Sequence, residues 1–287
     1  MTEIQETMTD SAVLRPTVLR VEKVSGADPY ERKVESLSFE IAEKGVHAIL
    51  GPKGSGKTLL MDLLSGSEWA GDGRILFGEQ ELTPEAWELK KKIGYVQQRC
   101  PFDGTQTVTE VLDFVGEARG VVPEKRYRQI KEALDLTGLE ACRNRLVKRL
   151  TAEEEKRLGL AAALLGNPDV LLLDEPIPAV RADARQEFFE LIRMLGRIKT
   201  VLLATADFEV ARSLCEDVVI LSDGKLLAKG GFEELDAKLK AGGESESLEQ
   251  IYRMLAAAAA TPKTFSEESA KESSEKRAEN EEKEETE

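Results

Sequence analysis

The chain has 287 residues, 41% of them hydrophobic, and a formal net charge of −14. That length holds one large domain or two small ones with a real core, and the acidic balance argues against nucleic acid as a partner. No apolar run approaches the roughly 20 residues needed to span a bilayer, and the polar start MTEIQETMTD does not read as a signal peptide.

Residues 1–16 read as a loose polar arm. Val18–Val24, Leu37–Ile41, Gly45–Leu50, Arg74–Phe77 and Ile93–Val96 then read as strands. Val170–Leu173, Val201–Ala204 and Val218–Leu221 are short, continuously apolar runs, which suit buried parallel strands covered on both faces. Asp223-Gly224 before Leu226–Ala228 is a hairpin signal. Helical spacing fills the gaps over Lys57–Leu64, Thr107–Arg119, Arg126–Leu136, Ala152–Leu165, Ala184–Leu195 and Phe208–Leu214. The fold class expected is α/β, with an antiparallel β region near the N-terminus and a helical subdomain, residues 99–165, inserted between strand regions. A last helix is expected over 247–260, marked by Ile251 and Leu255. Beyond Pro262 the chain is almost wholly Glu, Ser and Lys, and such composition predicts disorder within the tail 241–287. Cys100, Cys142 and Cys215 are too widely spaced for a disulfide framework or a metal site, which points to a reducing cytosol.

One segment carries chemistry outright. Gly51, Pro52, Lys53, Gly54, Ser55, Gly56, Lys57 and Thr58 match G-x-x-x-x-G-K-[ST] in full, after an apolar strand and before a helix. Glycines there let backbone N–H groups turn inward around phosphate oxygens, and the helix N-terminus adds partial positive charge. Lys57 is expected to reach the β- and γ-phosphates of ATP, and the Thr58 hydroxyl to ligate Mg²⁺. A second segment, Val170 to Asp174-Glu175, is an apolar strand that ends in two carboxylates. This is the shape of a Walker B strand, in which Asp174 holds Mg²⁺ and Glu175 orients or deprotonates the attacking water.

With these two motifs in order, the chain resembles the ATP-binding cassette (ABC) family over about residues 17–240, with a P-loop NTPase core. The wording is similar at Lys92–Gln98 (KIGYVQQ), Thr107–Leu112 (TVTEVL), Lys156–Leu165 (KRLGLAAALL), Asn167–Pro176 (NPDVLLLDEP) and Ala228–Leu235 (AKGGFEEL). The resemblance implies that Gln98 is the glutamine that touches Mg²⁺ and the attacking water. It also implies an aromatic under adenine, for which Tyr30 is the candidate. The flavour is that of exporters with a separate permease.

Three segments depart from the family. Its signature loop reads Leu-Ser-Gly-Gly-Gln, whereas this chain has Leu150, Thr151, Ala152, Glu153 and Glu154. Acid suits a first helical turn, but in the family this helix end receives the γ-phosphate of the facing subunit. A unit-charge repulsion at about 5 Å and an effective dielectric near 20 is roughly 3 kcal/mol. The loop from Ile177 ends in Arg181 where the family places an aspartate, and Thr205-Ala206 stands where the family has a histidine after Thr or Ser. His47, the one histidine, lies in the strand before the phosphate loop and reads as structural.

The resemblance implies an ATP-hydrolysing motor subunit at the cytoplasmic face of a membrane, with a polytopic permease and a second ATP-binding subunit as partners. The departures favour a heterodimer and weak hydrolysis. The alternatives are a regulatory ATP-binding subunit that barely hydrolyses ATP and a non-transport ABC ATPase of repair or translation. The latter usually carries paired cassettes or long coiled-coil insertions, and the sequence shows neither.

Overall fold

The computed structural model describes residues 19–29, 32–41, 44–99, 101–177, 182–241 and 247–260. Tyr30, Arg181, Cys100, the arm 1–16 and the segment beyond Pro262 lie outside them.

The described chain opens with β1 (Leu19–Ala27), β2 (Lys33–Ile41), β3 (Gly45–Leu50), α1 (Lys57–Ser65), β4 (Asp72–Phe77), β5 (Gln80–Glu81), α2 (Trp87–Lys91) and β6 (Ile93–Val96). Three helices follow, α3 (Val108–Ala118), α4 (Pro123–Thr137) and α5 (Ala152–Leu164). The remainder alternates: β7 (Val170–Asp174), α6 (Ala182–Gly196), β8 (Thr200–Thr205), α7 (Phe208–Leu214), β9 (Asp217–Ser222), β10 (Lys225–Gly231), α8 (Phe232–Ala241) and α9 (Leu248–Ala260).

Six strands form a mixed sheet in the order β10-β9-β3-β8-β7-β6, parallel from β9 to β6 with β10 antiparallel at one edge. Every residue of β3, β7 and β8 is buried, as continuous apolar runs require when both faces are covered. Alternate residues serve opposite layers. Leu171, Leu173, Val201 and Leu203 pack with Phe188 and Ile192 of α6, whereas Leu172, Leu202 and Ala204 pack with the leucines of α1. The β9–β10 turn runs through Asp223 and Gly224, both at positive φ (46° and 78°), the requirement of the tight hairpin expected there.

The second sheet, β2-β1-β4-β5, is antiparallel and lies over α1. Strand β2 begins four residues earlier than the alternation predicts. Register shifts in the β1–β2 ladder, with Lys23 and Ser36 at positive φ, break the period-two pattern that the eye follows. Helices α3, α4 and α5 enclose a cluster of their own around Leu112, Leu134, Leu139 and Leu158, inserted in sequence between β6 and β7. The last helix expected over 247–260 is present as α9, where Leu248 and Tyr252 are buried and Ile251 and Leu255 half-buried. No helix among the described residues is long and apolar enough to cross a membrane.

Candidate functional site

The loop from Gly51 to Gly56 leaves the carboxyl end of β3 and opens α1, the place where open α/β sheets collect ligands. Gly56 caps the helix at φ 96°, with no side chain bonded over its first turn. A Cβ on Gly56 would stand 2.7 Å from the Lys33 carbonyl, so only glycine fits. At Gly54, also at positive φ, nothing lies within 4 Å of where a Cβ would be, and the loop is open on that side. The loop is tied down elsewhere, by Gly51 N–H to Thr205 O (3.2 Å) and Gly224 N–H to Ser55 O (3.1 Å).

Lys57 is buried, and its ammonium donates to the carbonyls of Gly51 (2.8 Å) and Pro52 (3.1 Å). It lies 3.9 Å from Glu175 Oε1. Burial pushes its pKa down, while Glu175 and Asp174 pull the other way. Asp174 ends β7 fully buried, and among the described residues neither its carboxylate oxygens nor the buried Ser55 hydroxyl makes a hydrogen bond of normal geometry, although the Thr58 hydroxyl lies near Asp174. Burial pushes Asp174 up, against the Thr58 hydroxyl and Lys57. Unsatisfied buried oxygens are rare in native structures and call for an explanation. A cation held by Asp174 and Thr58 beside phosphate supplies one, and these hard oxygen donors suit Mg²⁺.

Glu175 follows directly, held at φ 45° in the left-handed region, with its N–H on Ala204 O at 3.0 Å. That conformation costs a non-glycine residue on the order of 1 kcal/mol and turns the carboxylate out of the strand toward Lys57. The Thr205 hydroxyl donates to Glu175 Oε2 at 3.4 Å. Burial pushes Glu175 up as well, with Lys57 opposing. Lys53, Gly54, Lys57, Thr58, Gln98 and Glu175 line one open cavity of about 770 Å³. Of the residues expected at the site, Gly51–Thr58, Gln98, Asp174 and Glu175 therefore converge. Tyr30 lies outside the described residues. Its neighbours Asp28 and Arg32 pair with each other, and Arg32 reaches Asp62 of α1 at 3.0 Å.

Sequence reading missed Lys156, whose ammonium donates to the Gln98 carbonyl at 2.7 Å, and Arg185, which lines the cavity and donates to Asp207 at 3.1 Å. Lys156 opens a stretch that resembles the family without a role for its side chain, and Arg185 carries no motif signal. His47 is buried, with Nδ1 2.6 Å from Asp217 Oδ1, in the structural role expected. Ala206 lines the cavity and offers it no polar side-chain group.

The α5 N-terminus redistributes the acid of the departed signature. Thr151 caps the helix, its hydroxyl accepting the Glu154 N–H (3.2 Å) while Glu154 Oε2 accepts the Thr151 N–H (2.8 Å). Glu154 also accepts from Arg145 (2.7 Å) and the Cys142 thiol (3.1 Å). Burial works against it, but these donors hold its carboxyl below the usual range. Glu153 instead turns back to Arg157 at 3.0 Å. The carboxylate over the helix end is thus Glu154, in a complete capping box.

Asp174→Asn is expected to stabilise the ligand-free chain at pH 7 by on the order of 1 kcal/mol, because a buried charge leaves that the Thr58 hydroxyl and Lys57 offset only in part. A carboxyl whose folded pKa is raised contributes stability below its unfolded pKa and loses it as pH climbs through the folded value. Denaturant titrations in chelator should therefore show a decline with rising pH that the asparagine flattens. A destabilised variant at pH 7 would mean that the carboxylate is satisfied.

A model of the family described as ABC transporter matches residues 34–178. Over 219 residues the chain is 32% identical to the ABC transporter ATP-binding protein YxlF of Bacillus subtilis (strain 168), covering 76% of this chain and 72% of that one. It is 30% identical to the methionine import ATP-binding protein MetN of Geobacillus kaustophilus (strain HTA426), covering 69% of this chain and 59% of MetN. It is 32% identical to the Nod factor export ATP-binding protein I of Burkholderia lata, covering 69% of this chain and 65% of that one. The chain thus spans less than two thirds of the last two. In fold it is similar to a solved ATP-binding subunit of an ABC transporter, with TM-score 0.72 at 21% identity over 83% of this chain and 99% of that one. It is also similar to the cassette MJ0796, solved as a dimer bound to ADP and Pi, with TM-score 0.65 at 23% identity over 74% of this chain and 98% of that one. The fold is the α/β P-loop NTPase core with a mixed sheet, an antiparallel β region and an inserted helical part.

Proposed function

The chain belongs to the ABC transporter family as an ATP-binding, ATP-hydrolysing subunit, and from that premise we propose that it works in a heterodimer with unequal ATP sites, docked on a polytopic membrane permease at the cytoplasmic face. The relatives named for import and export point to the transport role. Lys57 and the open α1 N-terminus bind the ATP phosphates, with Tyr30 the candidate under adenine. Thr58, Asp174 and Gln98 are the residues that would hold Mg²⁺, which when bound neutralises phosphate charge. Glu175 takes a proton from water as the water oxygen bonds to the γ-phosphorus and the bond to the ADP oxygen breaks.

The capping box at α5 carries the proposal of unequal sites. In the solved dimers of such cassettes two subunits meet; by family resemblance this helix end faces the partner's γ-phosphate. Here Glu154 already fills it. The chain therefore brings a sound phosphate loop and both strand-end carboxylates to its own nucleotide, and a poor surface to its partner's. A homodimer would place that fault in both sites, whereas an intact partner would confine it to one.

The test is turnover of the purified chain, alone and after Glu153→Gly, Glu154→Gln and Ala206→His together. Glutamine keeps the capping-box hydrogen bond without the charge. Slow turnover that the triple change accelerates at least tenfold is the expected result. Brisk, Glu175-dependent turnover by the unmodified chain alone would overturn the heterodimer.

A further inference from the structure

Tyr252 stands on the buried face of α9, and no step above uses it. It is 3% exposed. Its hydroxyl donates to the Ala206 carbonyl at 2.7 Å. Its ring lies 5.7 Å from that of Phe208, which meets Phe232 edge-on at 5.7 Å. The Leu248 N–H donates to Asp236 Oδ1 at 2.8 Å, which fixes the start of α9 on α8. Thus α9 is seated on α7 and α8, and its buried phenol reaches the segment that follows β8.

That segment faces Glu175. Thr205 Oγ1 donates to Glu175 Oε2 (3.4 Å) and accepts the Asp207 N–H (3.0 Å). Glu175 N–H is itself bonded to Ala204 O. The methyl of Ala206 makes no polar contact and its backbone N–H serves Glu175, which leaves its carbonyl as an acceptor. The buried phenol, which must find an acceptor, takes it.

We infer that Tyr252 is a positioning residue for Glu175. It acts through the backbone of residues 205–207, so that the seating of α9 governs how well the hydrolytic site is formed. The consequence for Glu175 rests on its proposed role; the hold on the 205–207 backbone does not.

The test compares the full chain with Tyr252→Phe, which keeps the ring packing and removes only the hydroxyl. Hydrogen exchange is followed in peptides spanning residues 203–208, with α1 as internal control. Turnover is measured with the second ATP-binding subunit and the permease present. Exchange at 205–207 is expected to speed up by about 2- to 10-fold, the ratio given by loss of one neutral hydrogen bond, with α1 unchanged. The kcat is expected to fall by a similar factor at unchanged KM for ATP. Leu248→Ala, which loosens α9 but keeps the hydroxyl, should move the same amides in the same direction. Unchanged exchange in Tyr252→Phe overturns the inference, as does faster exchange with an unaltered kcat. Exchange needs neither nucleotide nor turnover, so a failure of the ATP-site assignment, such as nucleotide binding indifferent to Lys57, leaves this readout standing.

Discussion

Glu175→Gln is expected to lower ATP turnover by about 10²- to 10⁴-fold, the range for loss of a general base, while leaving ATP binding intact. Glutamine keeps the size and the hydrogen bond from Thr205 but cannot take a proton. The left-handed backbone at Glu175 is set by the strand end and its N–H bond to Ala204, so the amide occupies the same place. The loss should fall on kcat with little change in KM, which is the signature of an interaction made only in the transition state. It is measured in the assembled transporter, where turnover is fastest. A variant that retains more than a tenth of wild-type kcat would remove Glu175 from the role of base and leave Gln98 as the group that orients water.

Lys57→Ala is expected to abolish most of the thermal stabilisation that Mg-ATP gives the chain. A ligand at a hundredfold excess over its Kd stabilises the folded state by about 2.7 kcal/mol, a shift of roughly 5–10 °C for a domain of this size. Lys57 is the buried cation of the loop, and its ammonium now rests on two carbonyls that a phosphate would outcompete. Burial holds its pKa down, so an incoming polyanion stabilises a charge that burial disfavours. Calorimetric scans with and without Mg-ATP decide the matter. An unchanged ATP-induced shift in the alanine variant would mean that the nucleotide binds elsewhere.

The sequence by itself determined whatever depends on neighbours along the chain. Strands Gly45–Leu50 and Ile93–Val96 and helix Phe208–Leu214 have the bounds their residue patterns predict. The phosphate loop is legible because its glycines, lysine and threonine act within one turn of backbone. Asp174 and Glu175 are legible because an apolar run ending in acid marks its own end. Even the inserted helices could be read, since amphipathic spacing repeats within each of them.

Tertiary structure decided what rests on contacts between distant segments. Composition at Glu153 and Glu154 cannot say which carboxylate lies over the helix end. Arg157 one turn ahead and Arg145 on the preceding loop make that choice. Lys156 meets the Gln98 carbonyl only because α5 packs against β6. The buried face of α9 is not legible in its nearly evenly spread apolar residues, and the ring of Phe208, itself against Phe232, receives Tyr252 rather than Ile251. A side chain's chemistry is written in the sequence, but its partner is fixed only when packing brings together residues far apart in the chain.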